Sequence, residues 1–356
     1  MATSARSMPA PASLQQVAER VERRLHDLVA QETARWRALD PDLVPPLEAL
    51  GRLVLNGGKR LRPAFCFWGF VGAGGDPDDP RVVEAGAAFE LLQAFALVHD
   101  DVMDGSATRR GERAAHLVFA DRHEADAWRG EPRRFGEGVA ILIGDLAHVY
   151  ADQFMAGAPP EAIAIWNELR IELNVGQYLD VLGTARGDTD IVLARRIARY
   201  KSGKYTIERP LHVGAALVGA SDELCAPLSR YGDPLGEAFQ LRDDLLGAFG
   251  DASRTGKPVG DDLREGKPTP LLAIASERAD DDQATLLALV GSPVLSDTDI
   301  ASIQRVLVDT GAVAAIDASI DELTNEAITA IADAPISEGA RAALVELAHY
   351  VAWRDQ

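Results

Sequence analysis

From Ser13 to about Arg37 the apolar residues Leu14, Val17, Val21, Leu25 and Leu28 recur every three or four positions, the period that lines one face of an α-helix. Ser13 and Gln16 stand at capping-box spacing ahead of that face. The same period predicts helices over 47–56, 81–104, 137–156, 160–183, 190–200, 204–219, 222–248, 267–277, 298–310, 312–332 and 337–353. Alternating β-branched runs are almost absent. Clusters of Gly, Pro and Asp at 72–80, 105–112, 129–133, 250–270 and 291–293 break the pattern, and none is long or biased enough to link two domains. Segment 121–135, DRHEADAWRGEPRRF, is charged and reads as a loop-like insert. The expectation is an all-α protein, with a flexible segment over 1–12 and a single helical domain over 13–356.

Composition narrows the partners. Apolar residues make up 47% of the 356 and charged residues 26%, and no apolar run approaches the length that spans a bilayer. The N-terminal MATSARSMPAPAS lacks the apolar core of a secretory signal, and the only cysteines are Cys66 and Cys225, so a cytoplasmic location without a disulfide framework is expected. With 36 Lys+Arg against 55 Asp+Glu, the net charge of −19 repels polyanions. Nucleic acid is excluded as a partner on that ground, and divalent metal is favoured.

Two acidic stretches invite metal. In LVHDDVMD, Asp100 and Asp104 fall one helical turn apart on one face, while Asp101 is turned roughly 100° away. A bare DDxxD also suits a solvated helix end. Residues 85–98, AGAAFELLQAFALV, are however apolar almost throughout, which puts the carboxylates at the mouth of a pocket where they call for a cation. Arg109 and Arg110 follow at once, either as charge compensation or as guanidiniums that grip phosphate. The turn GGKRLRP at 57–63 offers a second anion site. In QLRDDLLGAFGD, Asp243 and Asp244 repeat the acidic pair, but Gly247 stands where the last carboxylate would be, at a helical cost of about 1 kcal/mol relative to Ala.

In this order, over about 50–275, these motifs resemble the trans-type isoprenyl diphosphate synthases, also called the polyprenyl synthetase family. The resemblance implies that Lys59 and Arg62, and less directly Arg60, bind the diphosphate of isopentenyl diphosphate. ELLQAFALVHDDVMDGSATRRG looks like the first aspartate-rich region, with Asp100 and Asp104 as Mg²⁺ ligands, Asp101 in support, Arg109 on the allylic diphosphate, and Arg110 and Gln93 on the isopentenyl side. GQYLD, with Gln177 and Asp180, and YKSGKYT match two further motifs; Lys201 then meets the allylic diphosphate, and Ser202 keeps the hydroxyl of the usual Thr. Read singly, Gln177, Asp180, Lys201 and Lys204 would be solvated polar positions. FQLRDD resembles the second aspartate-rich region, with Asp243 as its principal metal ligand, Asp244 and Gln240 beside it, and Lys257 and Lys267 as diphosphate contacts behind. Asp251 and Asp262 follow closely enough to keep the region acidic, so restoring an aspartate at 247 is expected to matter little.

The implied fold is an antiparallel helical bundle around a deep apolar cavity, with both aspartate regions across its mouth, forming a homodimer. The implied reaction is ionisation, condensation and elimination, dependent on Mg²⁺ or Mn²⁺, with released pyrophosphate rather than a side chain taking the last proton. No Cys/His set has zinc spacing. One helical turn is about 5.4 Å, close to one isoprene unit, so residues below Asp100 measure the product. Ala96 is small, Phe95 is bulky, and Leu92 and Phe89 lie farther down, which favours geranylgeranyl diphosphate over farnesyl diphosphate. A class I terpene cyclase would not need GGKRLRP; a non-catalytic subunit of a heteromeric synthase is favoured only by Gly247. Arg354 in the C-terminal tail is a further candidate substrate contact.

Overall fold

A computed structural model describes residues 8–186, 192, 196, 198–250, 260–292 and 294–354; the side chains of Ala198, Lys201, Ser202 and Asp261 are outside the description. Lys257, Asp251 and most of the helix expected over 190–200 also lie outside the described residues.

The described chain is almost entirely helical. The first half runs through α1 (Ala12–Leu39), α2 (Val44–Leu55), α3 (Leu61–Gly72), α4 (Pro80–Asp104), α5 (Ala115–Ala125), α6 (Pro132–Met155) and α7 (Pro160–Arg186). A stretch of wide π-type turns over Ala198–Glu208 then runs directly into α8 (Arg209–Ala216). The second half holds α9 (Ser221–Phe249), α10 (Asp261–Glu265), α11 (Pro270–Arg278), α12 (Asp281–Leu287), α13 (Asp297–Asp309), α14 (Ala312–Ala332) and α15 (Glu338–Trp353). Between α4 and α5 the chain makes a minimal antiparallel hairpin, β1 (Thr108–Arg109) with β2 (Glu112–Arg113).

Helix α4 organises the first half because it is apolar on nearly every side. Ala85, Ala87, Ala88, Phe89, Leu91, Leu92 and Ala94 are all buried, against α1, α3 and α6. It is long and apolar enough to cross a membrane, yet most of its apolar window is covered by the rest of the protein, the condition of a core helix. Its buried end delivers Asp100, Asp101 and Asp104 to the surface of the bundle.

The period-based expectations hold for most of the amphipathic helices and miss α3, α5, α10 and α12, the first two for opposite reasons. Helix α3 is buried along almost all its length, so no polar face marks it. Helix α5 is half polar and runs through Ala125, so the segment expected as a loop from Asp121 is helical in its first turn. The connection after it is pinned by His123, Trp128 and Phe135, whose ring centroids lie 5.2–6.0 Å apart. At the N-terminus, the Met8 amide donates to the Trp353 carbonyl at 3.3 Å, so residues from Met8 onward rest on α15.

One close approach positions the site. A Cβ on Gly69 would stand 2.4 Å from the Leu211 carbonyl oxygen, and one on Gly214 only 2.1 Å from that of Cys66. Without side chains at these two points α3 and α8 meet backbone to backbone, which brings the start of α3 beside Tyr205 and Thr206.

His212 on α8 is buried, its Nε2 2.9 Å from the Cys225 carbonyl and 3.1 Å from Ser229 Oγ, with Arg209 at 3.5 Å from Nδ1. Burial, helped by the Arg209 charge, lowers its pKa from 6.5 to about 4. In the unfolded chain the ring protonates near 6.5, so between that pH and about 4 the unfolded state binds a proton that the fold does not, and stability is lost as pH falls. Urea unfolding across this window should show about 3 kcal/mol less stability at the acid end, a loss largely absent in His212→Gln. Equal pH slopes for the two proteins would refute this.

Candidate active site

The site begins with a strained turn. Gly57 and Gly58 take φ of 78° and 116°, conformations open to glycine, and Arg60 follows at φ 50°, where a side chain costs on the order of 1–3 kcal/mol. What holds Arg60 there is burial with full pairing. Its guanidinium is ion-paired to the buried Glu90, donates to Glu22 at 3.1 Å and to the Val54 carbonyl at 2.7 Å. Arg60 is therefore the anchor of the turn, which corrects its reading as a substrate contact. Arg110 serves the same turn from the other side, donating through Nη1 to the carbonyls of Leu53, Gly57 and Asn56 at 2.7, 3.1 and 3.3 Å.

The turn aims Lys59 and Arg62 at the second aspartate region. Lys59 Nζ lies 3.6 Å from Asp243 Oδ1, and Arg354, fully buried, donates to the same oxygen. Arg62 stacks 4.2 Å over the Tyr205 ring and donates to Thr206 Oγ1 at 2.9 Å. Among the described residues, the buried Nε atoms of Arg62 and Arg354 have no hydrogen-bond partner. Burial, reinforced by Arg354, lowers the Lys59 pKa to about 8. Burial alone would raise the Asp243 carboxyl, but Arg354 and Lys59 outweigh it and hold it below the usual carboxylate range.

Its neighbour behaves differently. Asp244 is buried and accepts 2.7 Å from Gln240 Nε2, and among the described residues it has no cation as close as those of Asp243; burial pushes its pKa up to about 8, the charges of Asp262 and Asp243 adding to the effect. Gln240 thus holds Asp244. Gly247, one turn beyond Asp243, lies against α10: a Cβ there would be 1.8 Å from Asp262 Oδ2. A side chain at 247 would therefore require the Asp262 carboxylate to shift.

Across the mouth, Asp101 is buried against Arg109, which donates to it from Nε at 2.8 Å and also from Nη2, and reaches Asp100 at 3.5 Å. Asp101 therefore supports through Arg109, turned away from the shared face as the helix geometry requires. Gln177, on α7, donates to Asp100 Oδ1 at 3.0 Å, so it belongs to the site. Lys267 joins the two regions: its Nζ is 3.9 Å from Asp104 Oδ2, 4.0 Å from Asp262 Oδ1 and 2.7 Å from Glu265. Burial disfavours that charge, yet Asp262 and Glu265 raise its pKa overall. Lys204 and the buried Asp180 are not solvated either; Lys204 bonds Glu172 at 2.7 Å.

Below Asp100, Ala96 and Phe95 are half-buried. The Phe95 ring stacks on His148 of α6 at 4.8 Å and meets His99 edge-on at 4.6 Å. Leu92 and Phe89 are fully buried, Phe89 edge-on to Trp166 at 5.2 Å, and so belong to the packed core beneath. Gln93 is half-buried on the same helix. Lys201 and Ser202 sit on the wide-turned segment, with side chains outside the description.

Among the described residues no three acidic, His or Cys side chains converge into a ready-made metal cage. The donors nonetheless suit a hard divalent ion completed by water and phosphate oxygens, and the Lys267 ammonium shows that a cation is accommodated between Asp104 and Asp262. A helical protein built this way is equipped to hold diphosphates between carboxylates and cations.

The comparisons give that class a family. Residues 45–307 match the family model described as polyprenyl synthetase. The chain is 33% identical over 269 residues to the geranylfarnesyl diphosphate synthase of Aeropyrum pernix, covering 73% of this chain and 78% of that protein. It is 34% identical over 287 residues to the geranylgeranyl diphosphate synthase of Mycobacterium tuberculosis, covering 78% and 76%. Among solved structures, the geranylgeranyl pyrophosphate synthase of Corynebacterium glutamicum complexed with isoprenyl diphosphate and magnesium superimposes with a TM-score of 0.86 at 38% identity, covering 94% of this chain and 98% of that one. The chain belongs to the polyprenyl synthetase family. It is a prenyl-transferring enzyme acting on isoprenyl diphosphates, and dependence on a divalent metal goes with that membership.

Proposed function

We propose that this enzyme joins isopentenyl diphosphate to an allylic diphosphate (dimethylallyl, geranyl or farnesyl) and releases geranylgeranyl diphosphate. The observation that carries the reading is the cation cluster of Lys59, Arg62 and Arg354 beside Asp243, an anion site separate from the one Arg109 offers beside Asp100 and Asp101. Two diphosphates need two such sites, whereas a cyclase with one substrate needs one.

Asp100, Asp104 and Asp243 would hold Mg²⁺, or Mn²⁺ in its place, with Asp101 and Asp244 behind them; the ion supplies stabilisation of the charge that develops on the departing diphosphate. Arg109, Lys201, Ser202, Lys257 and Lys267 are assigned to the allylic diphosphate and its leaving charge. Lys59, Arg62 and Gln93 are assigned to isopentenyl diphosphate, with Arg110 holding the turn that presents Lys59. The allylic C–O bond breaks with its electron pair on the diphosphate, the isopentenyl double bond attacks the resulting cation, and a proton leaves to the released pyrophosphate. Purified enzyme given Mg²⁺ and both substrates should form product, and Asp243→Asn should lower kcat by roughly two to three orders of magnitude. Product formation at an undiminished rate in that variant would sink the assignment.

Product length is assigned to Phe95, whose ring packs on His148 and His99 and which stands just before the small Ala96. Phe95→Ala should shift products to longer prenyl chains by mass spectrometry; an unchanged distribution removes Phe95 as the limit.

A second copy of the chain is proposed to cover the exposed apolar side chains Leu142 and Val149 of α6 and Ile171, Val175 and Tyr178 of α7, which recur at helical spacing. Sedimentation should give a dimer that Leu142→Asp with Val175→Asp converts to monomer. A monomeric wild-type protein would exclude this pairing.

A further inference from the structure

Glu172 is a buried carboxylate that belongs to neither aspartate-rich region. It lies on α7, with Oε1 2.7 Å from both Lys204 Nζ and Arg209 Nη2, and Oε2 2.7 Å from Arg209 Nε. Lys204 stands within the wide turns of Ala198–Glu208, and Arg209 is the first residue of α8. We propose that Glu172 is a positioning residue for both diphosphate sites: by holding Lys204 and Arg209 with one carboxylate, it fixes the wide turns that carry Lys201 and Ser202 and that brace Arg62. The inference rests on the reading above for the roles of Lys201, Ser202 and Arg62.

The spacing of the two cations is the first support. Five residues along a regular α-helix turn a side chain through about 500°, which would leave Lys204 and Arg209 on different faces, about 140° apart. Backbone bonded i→i+5 closes its turn over those five residues and brings the two towards one side. One carboxylate can then hold both. Lys204 has an α-period alternative in Glu208, four residues on, yet that carboxylate is 3.8 Å away against 2.7 Å for Glu172. Burial disfavours the Glu172 charge, but Arg209 and Lys204 outweigh it and hold the carboxyl below its usual range.

The second support is what the segment carries. Lys201 and Ser202 lie on it just before Lys204. Between Lys204 and Arg209, the Tyr205 ring lies 4.2 Å from the Arg62 guanidinium, and Thr206 Oγ1 accepts from Arg62 at 2.9 Å. Gly203 meets α9 so closely that a Cβ on Gly236 would stand 2.7 Å from the Gly203 Cα. The segment is thus held to α9 through its backbone and to α7 through Glu172. Helix α7 also carries Gln177, which donates to Asp100, so one helix registers the wide turns against the first aspartate region.

Lys204→Met separates this bridge from the fold, because Arg209 keeps its two bonds to Glu172. Hydrogen–deuterium exchange of the free full chain should be at least about tenfold faster across 198–208 in this variant. Steady-state kinetics should divide the loss: KM for isopentenyl diphosphate rises because Arg62 loses its brace, and kcat falls because Lys201 is displaced, about tenfold each. Glu172→Gln should do the same, and the double variant should stay within about threefold of Glu172→Gln alone, since both substitutions remove one interaction. Unchanged exchange overturns the proposal, as do fully additive effects, or unchanged KM and kcat in variants that lose only melting temperature. A parent protein that forms no prenyl product from the two substrates overturns the site reading instead, while the exchange measurement, which needs no substrate, still decides whether Glu172 fixes the turns.

Discussion

Carboxylates at the ends of apolar helices cannot remain charged and buried without cations, and meeting that demand arranges the mouth of this bundle. Arg109 answers Asp101, Lys267 stands between Asp104 and Asp262, and Lys59 with Arg354 answers Asp243. Asp244 accepts from Gln240, and burial together with the charges of Asp262 and Asp243 raises its proton affinity. On the function proposed above, each of these cations is also a donor for a diphosphate once a metal ion takes over the carboxylate, so the same pairings would serve both the free protein and its substrates.

That arrangement depends on one turn far from the acidic ends. Arg60 adopts a left-handed conformation because Glu90, on the core helix α4, compensates its buried charge. Losing one partner of such a pair typically costs about 3–5 kcal/mol, enough to outweigh the turn's own strain of about 1–3 kcal/mol, so the ion pair dictates the backbone. The close contact of α3 with α8 then fixes where Lys59 and Arg62 point. Two interactions that touch no substrate thus set the geometry of the anion site.

Much of this was legible in the sequence because it is local. Amphipathic periods marked most helices within a few residues, and the DDxxD spacing correctly separated Asp100 and Asp104 from Asp101. What escaped was long-range. Arg60 looked like a third basic residue in a row, and only the contact with Glu90 shows it to be an anchor. Gln177, read alone, was a polar position on a helix face, although its motif pointed to the site it occupies. His148 left no signal, because its role comes from packing across two helices. Gly247 raised a question, and only the tertiary fold shows that the Asp262 side chain lies against it.

The bond from Arg354 to Asp243 joins residues 111 positions apart, and it reaches the same carboxylate that Lys59 approaches from near the other end of the chain. Helix α15 packs its buried Leu344, Leu347, Ala348 and Val351 into the core shared with α3, α8 and α9, so Arg354 is held in place by the same burial that closes the second half of the bundle. The second acidic region is thus completed by a helix from the far end of the sequence, and its geometry is as durable as that helix's packing.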